Sequence, residues 1–180
     1  EERLNALLDE IKLLDRLVDD LRILSLAESG TLTLQPEPTD LVGLLSEAGA
    51  AFQSSAVSIQ TSFAAEALVV EADPLRLRQV VENLLSNAVR HTPPGGTIWL
   101  RCRELDTQVE IEVEDSGQGI ASQDLPHIFE RFYKAGDSRG MGLGLAIAQY
   151  LVLAHGGTIE AASPAGRGAV IRVRLPQQVS

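Results

Sequence analysis

Two asparagines four residues apart, Asn83 and Asn87, are the residues of this chain best suited to hold a metal ion. An α-helix makes one turn in about 3.6 residues, so both amides would lie on one helix face, together with Arg90. Mg²⁺ prefers hard oxygen ligands and is often held by few protein groups together with the phosphates of a substrate. A neutral amide would suit a triphosphate, because a carboxylate would add repulsion. The alternative is a pair of solvated helix asparagines.

Asp115 and the glycines after it have the composition of a base-recognition loop. The alternating segment 109–113 predicts a strand, and Asp115 follows it closely. A carboxylate there can accept a hydrogen bond from an exocyclic amine, which adenine carries where guanine does not. Gly117 and Gly119 permit unusual backbone angles and the close approach of a ligand. The alternative is an ordinary Asp-Ser-Gly turn after a strand.

An aromatic cluster precedes a short polar segment. Phe129, Phe132 and Tyr133 are three of the seven aromatic residues in the chain, which has four Phe, two Tyr and one Trp. Residues 134–139 are mostly small or polar, which predicts a mobile loop. The alternative is that the aromatic residues merely anchor this loop. The local cations available to a phosphate group are Arg131, Lys134 and Arg139.

Three glycines, Gly140, Gly142 and Gly144, lie at the start of the apolar helical pattern 141–155. The first turn of a helix offers N–H groups and a positive dipole end to phosphate. A dinucleotide-binding loop is disfavoured, although Glu160 lies at a suitable distance for a ribose ligand, because the glycine spacing differs and no strand pattern precedes it. No Gly-Lys-Ser/Thr sequence of a Walker loop is present.

The composition is that of an acidic globular protein. The 180 residues are 44% hydrophobic, and the net charge of -10 disfavours nucleic-acid binding, which needs a basic surface. The single cysteine excludes an internal disulfide and is typical of a reducing cytoplasm. No apolar run approaches the roughly 20 residues of a membrane span, and no signal peptide is visible.

Residues 1–28 are predicted to form one long amphipathic helix. Apolar residues recur with alternating spacings of three and four, at Leu4, Leu7, Ile11, Leu14, Val18 and Leu21. This is a heptad pattern with charged residues on the other faces. Packing on the same domain is one interpretation, but self-association is favoured because the stripe is long and no Gly or Pro interrupts it. Ser29 and Gly30 should end the helix.

The remaining residues alternate between helical and strand patterns. Asp40 and Asp73 are predicted helix caps, and Pro74 would lie in the first turn of the second of these helices. The predicted elements after the first helix are 40–54 (α), 57–63 (β), 68–70 (β), 74–91 (α), 98–102 (β), 109–113 (β), 141–155 (α), 158–163 (β) and 169–175 (β). Paired strands between helices predict an α+β fold, a two-layer sandwich of a mixed β-sheet with helices on one face.

The segments 82–92, 115–119, 129–133 and 140–144, in this order, resemble the ATP-binding catalytic domain of two-component sensor histidine kinases. This domain belongs to the GHKL superfamily of gyrase, Hsp90, histidine kinases and MutL. The resemblance extends over nearly the whole chain. It implies the histidine kinase ATPase-type fold, ATP and Mg²⁺ as ligands, and transfer of the γ-phosphoryl group to a histidine for relay to an aspartate of a response regulator.

The same resemblance assigns roles to individual residues. Asn87 would be the Mg²⁺ ligand and Asn83 its helper, with Arg90 as a third catalytic residue, and Asp115 would read adenine. The aromatic cluster would be the hinge of an ATP lid. The other residues that would contact the nucleotide are His91, Gly117, Gly119, Ile120, Phe129, Arg131, Tyr133, Lys134, Arg139, Gly140, Gly142, Leu143 and Gly144.

The register of Glu82 argues against a hydrolytic relative. ATPases of the superfamily place a water-activating Glu four residues before the metal-binding Asn, and that position is Asn83 here. Glu82 is one residue off, rotated by about 100° on a helix. This favours a kinase over an ATPase of the gyrase or Hsp90 type. A surface carboxylate near Arg78 is the other interpretation of Glu82.

In the family, the acceptor histidine is followed by an acidic residue and, a few residues later, by a proline. His91, His127 and His155 do not fit this pattern, because none of them is followed directly by an acidic residue. The first helix instead resembles the second helix of the dimerisation hairpin. We therefore expect a fragment with hairpin helix 1–30, linker 31–39 and ATP-binding domain 40–176, with the acceptor upstream. Its expected partners are a second copy, as a homodimer through the hairpin helix, and a response-regulator receiver domain.

We expect this domain to be cytoplasmic, and any membrane attachment to lie in parts of the parent protein outside the chain. Two rival functions remain open at this point. A serine kinase of the anti-sigma-factor type shares the fold, but it would not need the heptad helix and usually lacks the aromatic cluster. A nucleotide-sensing pseudokinase is the non-enzymatic alternative, which the intact sequence segments disfavour.

Overall fold

The computed structural model describes residues 2–134, 141–165 and 167–177, with side chains up to residue 16 described at 7, 11, 14 and 15 only. It divides into two compact units, one reaching to Thr33 and the other beginning at Leu34. Within the described residues, no helix combines the length and the apolar composition needed to cross a bilayer.

The first unit consists of helix α1 (Glu2–Glu28). Gly30 has a φ of +64°, and the Thr31 N–H donates to the Leu26 carbonyl, so the helix ends in the left-handed turn predicted for Ser29 and Gly30. The described members of the predicted heptad stripe are 48% to 66% exposed: Leu7, Ile11, Leu14, Val18 and Leu21. The single chain therefore leaves an apolar seam open.

The second unit contains the other elements in the predicted order. Its helices are α2 (Leu41–Phe52), α3 (Pro74–His91) and α4 (Gly144–Ala154). Its strands are β1 (Glu37–Asp40), β2 (Ser58–Phe63), β3 (Val69–Ala72), β4 (Thr97–Leu105), β5 (Gln108–Asp115), β6 (Thr158–Ala162) and β7 (Val170–Pro176). A short 3₁₀ turn spans Leu125–His127. The periodicity therefore predicted both the type and the order of the long elements correctly.

Five strands form one mixed sheet in the order β2-β4-β5-β7-β6. The pair β2–β4 is parallel and the other neighbours are antiparallel. Leu100, Val113 and Ile171 are paired across three strands, so they share a face, and all are buried. Helix α2 covers this face, since a Cβ at Gly49 would lie 3.6 Å from Leu100. The predicted two-layer α+β sandwich is confirmed.

The opposite face of the sheet carries paired charges. Arg101 lies 2.7 Å from Glu112, and Arg172 binds the other oxygen of the same carboxylate. Burial alone would raise the pKa of Glu112, but the hydrogen bonds from both arginines hold it below its ordinary value. Such partly exposed pairs typically contribute 1 kcal/mol or less each, so they mainly keep this face hydrated and in register.

Three local predictions differ from the structure. Residues 37–39, predicted as linker, belong to strand β1, which pairs with β3. The segment has no alternating apolar pattern, so the strand depends on that tertiary pairing. Asp40 precedes α2, but its side chain makes no capping hydrogen bond, so that predicted cap is wrong. In addition, α4 begins at Gly144 and not at 141, because Gly142 has a φ of +70° and cannot continue a helix.

Asp73, by contrast, caps α3 and connects three segments. Its Oδ1 accepts from the Arg76 N–H at 3.1 Å, and its Oδ2 accepts from the Gln35 N–H at 3.0 Å. Its own N–H donates to His155 Nε2 at 3.1 Å, beyond the end of α4. The imidazole also donates through Nδ1 to the Leu151 carbonyl at 2.7 Å. These hydrogen bonds of Asp73 and His155 therefore fix the start of α3 against the end of α4.

Replacing Asp73 by alanine is expected to lower the free energy of unfolding by about 1–3 kcal/mol, because one cap and one buried acceptor are lost together. Urea unfolding followed by circular dichroism measures this difference. The matched control is Asp40→Ala, which removes an aspartate at the equivalent position before α2 but no side-chain cap bond. Equal destabilisation by both changes would contradict the capping role.

Candidate functional site

The predicted metal-binding face lies on α3, beside the start of α4. Asn83 is 3% exposed, while Asn87 is half-buried and Arg90 is exposed. A Cβ added at Gly144 would lie 3.7 Å from the Asn83 Oδ1, so the two predicted segments meet in the fold. The start of α4, where the first N–H groups of a helix have no intrahelical acceptor, therefore lies beside Asn83.

Asp115 is held in a fixed orientation by its own loop. The carboxylate is 4% exposed, and its Oδ1 accepts from the Gly117 N–H at 2.8 Å and from the Ala169 N–H at 3.2 Å. Among the described residues, Oδ2 has no hydrogen-bond partner. A buried carboxylate with one committed oxygen has a strong acceptor left for a ligand donor.

The end of α3 lies against this loop. A Cβ at Gly117 would overlap the His91 carbonyl oxygen, so only glycine allows this close approach. Burial is the main cause that lowers the pKa of His91, and the charge of Arg90 lowers it further against the smaller opposite effect of Asp115. His91 is therefore neutral at pH 7, and the positive charge at this end of the helix comes from Arg90.

The predicted lid begins and ends at a backbone junction. The Phe132 N–H donates to the Gly142 carbonyl at 2.9 Å. Both residues are in the left-handed region, with φ of +62° for Phe132 and +70° for Gly142. The Phe132 side chain is 62% exposed, so a strained backbone holds an aromatic ring outward. Strain of this kind persists only where the surroundings fix it.

Contacts of the Tyr133 side chain also support this junction. The Tyr133 hydroxyl donates to Asp124 Oδ1 at 2.6 Å, and the His127 ring lies 5.5 Å from the Tyr133 ring. Ile128 is buried, and Phe129 beside it is half-buried, so this segment is anchored in the domain. These contacts support the interpretation of the cluster as an apolar anchor, and the lid hinge stays a prediction.

The predicted cations and glycines of the lid are only partly placed. Arg131 and Lys134 are exposed at its beginning, and Leu143 is buried just before α4. Arg139 and Gly140, together with the rest of 135–140, lie outside the described residues. Their predicted roles at the phosphates therefore remain predictions.

Two residues of the site were missed by the sequence analysis, Asp124 and Ser163. Asp124 holds the Tyr133 hydroxyl, and Ser163 accepts from the Ile120 N–H at 2.8 Å. Ser163 is 43 residues from Ile120 along the chain, so no local pattern could indicate the contact. Asp124 is near in sequence, but an isolated aspartate before a proline-containing turn has many equivalent interpretations.

Replacing Gly142 by alanine is expected to destabilise the domain by about 1–3 kcal/mol, because an L-residue at this φ is strained and its Cβ would lie 2.6 Å from the Tyr133 carbonyl oxygen. Gly144→Ala is the matched control, since its nearest neighbours at 3.7 Å leave ordinary contact. Denaturant unfolding of both variants decides the matter. Similar stability of the two would show that the junction tolerates a side chain.

The site lies in a region that matches a known family. Residues 72–179 match the family model described as histidine kinase-, DNA gyrase B-, and HSP90-like ATPase. The chain is 39% identical, over 97% of its length, to the signal transduction histidine-protein kinase BaeS of Escherichia coli K12, of which it covers 39%. It is 38% identical to the sensor protein SphS of Synechococcus elongatus, over 98% of this chain and 46% of that protein.

Solved structures show the same likeness. The full-length kinase ShkA, in complex with AMPPNP, has a TM-score of 0.85 at 29% identity, over 98% of this chain and 38% of that one. The mycobacterial sensor histidine kinase MprB has a TM-score of 0.73 at 30% identity, over 81% of this chain and 100% of that one. The chain spans less than half the length of the two curated relatives named above.

Proposed function

The chain belongs to the family of histidine kinase-, DNA gyrase B- and HSP90-like ATPases, and from this premise we propose that it is the ATP-binding catalytic domain of a sensor histidine kinase. In this proposal the domain binds ATP as a substrate. The γ-phosphoryl group passes to a histidine outside residues 1–180, and from there to an aspartate of a response-regulator receiver domain.

The observation that carries the proposal is the buried Asp115. One of its oxygens is occupied by the backbone of its own loop, and the other accepts no bond from the described residues. An adenine amine is a donor that fits this acceptor, whereas guanine presents an acceptor at the same ring position. The loop therefore supports recognition of adenine rather than of any purine.

Helix α3 sets the distance between the base and the phosphates. His91, at the end of this helix, lies against the loop that carries Asp115, which we call the base loop. Asn83, eight residues earlier, lies beside the start of α4. Eight helical residues correspond to about 12 Å, a length suited to a nucleoside triphosphate. The base would bind near Asp115, and the phosphates would extend along α3 toward the first turn of α4.

The residues present fit a magnesium ion. The donor set is two neutral amides on one helix face, beside a helix N-terminus that favours anions, which is the chemistry expected where phosphates supply the remaining ligands. We propose Asn87 as the protein ligand and Asn83 as its helper. When bound, Mg²⁺ would neutralise phosphate charge. We propose that Arg90, on the same helix, adds positive charge, since phosphoryl transfer depends mainly on positioning and charge stabilisation.

The lid would cover the phosphates. Lys134 and Arg131 lie at its described beginning, and Arg139 and Gly140 are proposed to contact the nucleotide from its remaining part. Gly142, Leu143 and Gly144 would complete the phosphate side at the start of α4. The backbone junction between Phe132 and Gly142 would keep the two ends of the lid together.

Among the described residues, the proposed site does not supply an obvious base for hydrolysis. Asn83 occupies the position at which hydrolytic relatives place glutamate, and an amide cannot accept a proton from water. Glu82 is half-buried on a different side of the helix. We therefore propose slow ATP hydrolysis in the absence of an acceptor histidine.

The exposed apolar seam of α1 supports a homodimer as part of the proposal. Among the side chains that the structure describes in α1, five large apolar residues at heptad spacing are exposed, and a second copy would cover them as a coiled coil or helical bundle. The response regulator is the other proposed partner. The proposal places this domain in the cytoplasm, where ATP is available, and assigns any membrane attachment to segments outside residues 1–180.

Calorimetric titration with ATP and GTP tests the proposal. We expect Mg²⁺-dependent binding of ATP that is at least about tenfold tighter than that of GTP, because the base recognition is worth one charge-assisted hydrogen bond. Chelation with EDTA is the control for the metal-linked part. Equal affinity for the two nucleotides would remove the adenine-reading role, and no binding of either would overturn the proposed function.

A further inference from the structure

The turn between β6 and β7 lies directly behind the loop that carries Asp115. The Ala169 N–H donates to Asp115 Oδ1, and the Asp115 N–H donates back to the Ala169 carbonyl at 2.9 Å. A Cβ at Gly168 would overlap the Asp115 carbonyl oxygen, so the two backbones are in direct contact. The base loop therefore packs against a segment that is distant from it in the sequence.

Ser163 provides the second connection between the turn and the loop. Its hydroxyl accepts from the Ile120 N–H at 2.8 Å and donates to the Gly168 carbonyl at 3.3 Å. A serine hydroxyl has one donor and two acceptor sites, so it can make both bonds at once. Alanine at this position could make neither, and it would leave the Ile120 N–H without this acceptor.

Gly119, in the same loop, lies so close to Ser163 that a side chain would not fit there. Gly119 has a φ of +78°, and a Cβ on it would lie 2.5 Å from the Ser163 Oγ and 3.0 Å from the Arg167 carbonyl oxygen. The absence of a side chain at Gly119 is therefore needed for the loop to reach Ser163. The backbone conformation of Gly119 and the position of the Ser163 hydroxyl depend on each other.

The loop has one anchor at each end. At its beginning, the Ser116 N–H donates to the Thr97 carbonyl at 3.0 Å, and Ser116 Oγ accepts from the Thr97 N–H at 2.8 Å. At its other end, the Ile120 N–H bond to Ser163 is the tie to the rest of the domain. Loss of the second anchor would free Gly117 to Ile120, whose first N–H orients the Asp115 carboxylate.

We infer that Ser163 is a positioning residue for base recognition, which acts through the loop to hold the free oxygen of Asp115 toward the adenine amine. This inference rests on the proposed function. Ser163 need not touch the nucleotide. Its removal should weaken binding through the base and leave the metal-linked part of the affinity unchanged.

The test is a double-mutant cycle of Ser163→Ala and Asp115→Asn, with ATP affinity measured by calorimetry on the full chain. Ser163→Ala alone should weaken ATP and ADP by about 5- to 30-fold, the effect of losing the part-buried hydrogen bond from the Ile120 N–H. In the Asp115→Asn background, the same change should cost less than about threefold, because coupled residues are not additive. Thr158→Ala, on the exposed start of β6, is the control and should leave ATP affinity unchanged.

Each outcome decides the inference. Sub-additive losses with an unchanged magnesium dependence support it. Additive losses, or an unchanged affinity of Ser163→Ala while the wild-type chain binds ATP, overturn it and leave the proposed function standing. Failure of the wild-type chain to bind ATP overturns both. Should Ser163→Ala not fold, Ser163→Cys, which keeps the side-chain size and weakens the acceptor, takes its place in the same cycle.

Discussion

Replacing Asp115 by asparagine is expected to weaken ATP and ADP equally, by about 10- to 100-fold, because both nucleotides carry the same base and lose one hydrogen bond to a charged group. The Gly117 and Ala169 N–H groups both donate to Oδ1. They would keep the carboxamide oxygen at that position and direct the amide nitrogen toward the ligand. A donor would then face the adenine amine, which is also a donor.

The same reasoning predicts a change of base preference. The amide nitrogen of Asp115→Asn would face the guanine carbonyl as a donor facing an acceptor, which favours GTP. The ratio of ATP affinity to GTP affinity should therefore fall by a larger factor than the ATP affinity itself. Titration with ATP, ADP and GTP measures this ratio. Asp106→Asn, in the turn between β4 and β5, is the control for the chemical change. An unaltered ATP:GTP ratio would show that Asp115 does not read the base.

Replacing Asn87 by alanine should remove the magnesium-dependent part of ATP affinity and leave the magnesium-free affinity near that of the wild type. The amide oxygen is the ligand that we propose for the metal, and among the described residues no hydrogen bond joins it to the loop that carries Asp115. Titrations with and without EDTA separate the two contributions. Ser86→Ala is the matched control, because the neighbouring residue is half-buried but rotated by about 100° on the helix.

Phosphoryl transfer should be more sensitive to the same change. We expect Asn87→Ala to abolish transfer from radiolabelled ATP to a separately supplied dimerisation hairpin that carries an acceptor histidine. The wild-type chain should label this hairpin slowly, since an acceptor in trans lacks the effective concentration of a tethered one. Retention of metal-dependent binding by Asn87→Ala would remove the metal assignment. Label on His91, His127 or His155 would contradict an external acceptor.

Local sequence patterns determined the helices and most strands, because their hydrophobic periodicity is strong over many residues. Helix α3 runs from Pro74 to His91 as the cap, the proline and the apolar spacing predicted. The hairpin of β4 and β5 followed from alternation on both strands. The same period places Asn83 and Asn87 on one face, so part of the proposed metal-binding face was predictable from spacing alone.

Features that depend on contacts distant in sequence could not be predicted in this way. Strand β1 has no apolar alternation and exists because β3 pairs with it. Asp40 and Asp73 look alike before their helices, yet only Asp73 has a capping bond. The difference depends on the positions that the surrounding fold gives to the two side chains, which a local pattern does not contain.

By itself, the sequence determined which chemical groups this protein has for a nucleotide: two amides at helical spacing, a carboxylate after a strand, and glycines where a helix begins. Those are properties of residue types and of short-range geometry. Only the tertiary structure decided that backbone N–H groups bind one oxygen of Asp115, that Gly144 lies beside Asn83, and that Ser163 binds the Ile120 N–H. Each of these depends on contacts between segments tens of residues apart, which packing of the whole domain creates.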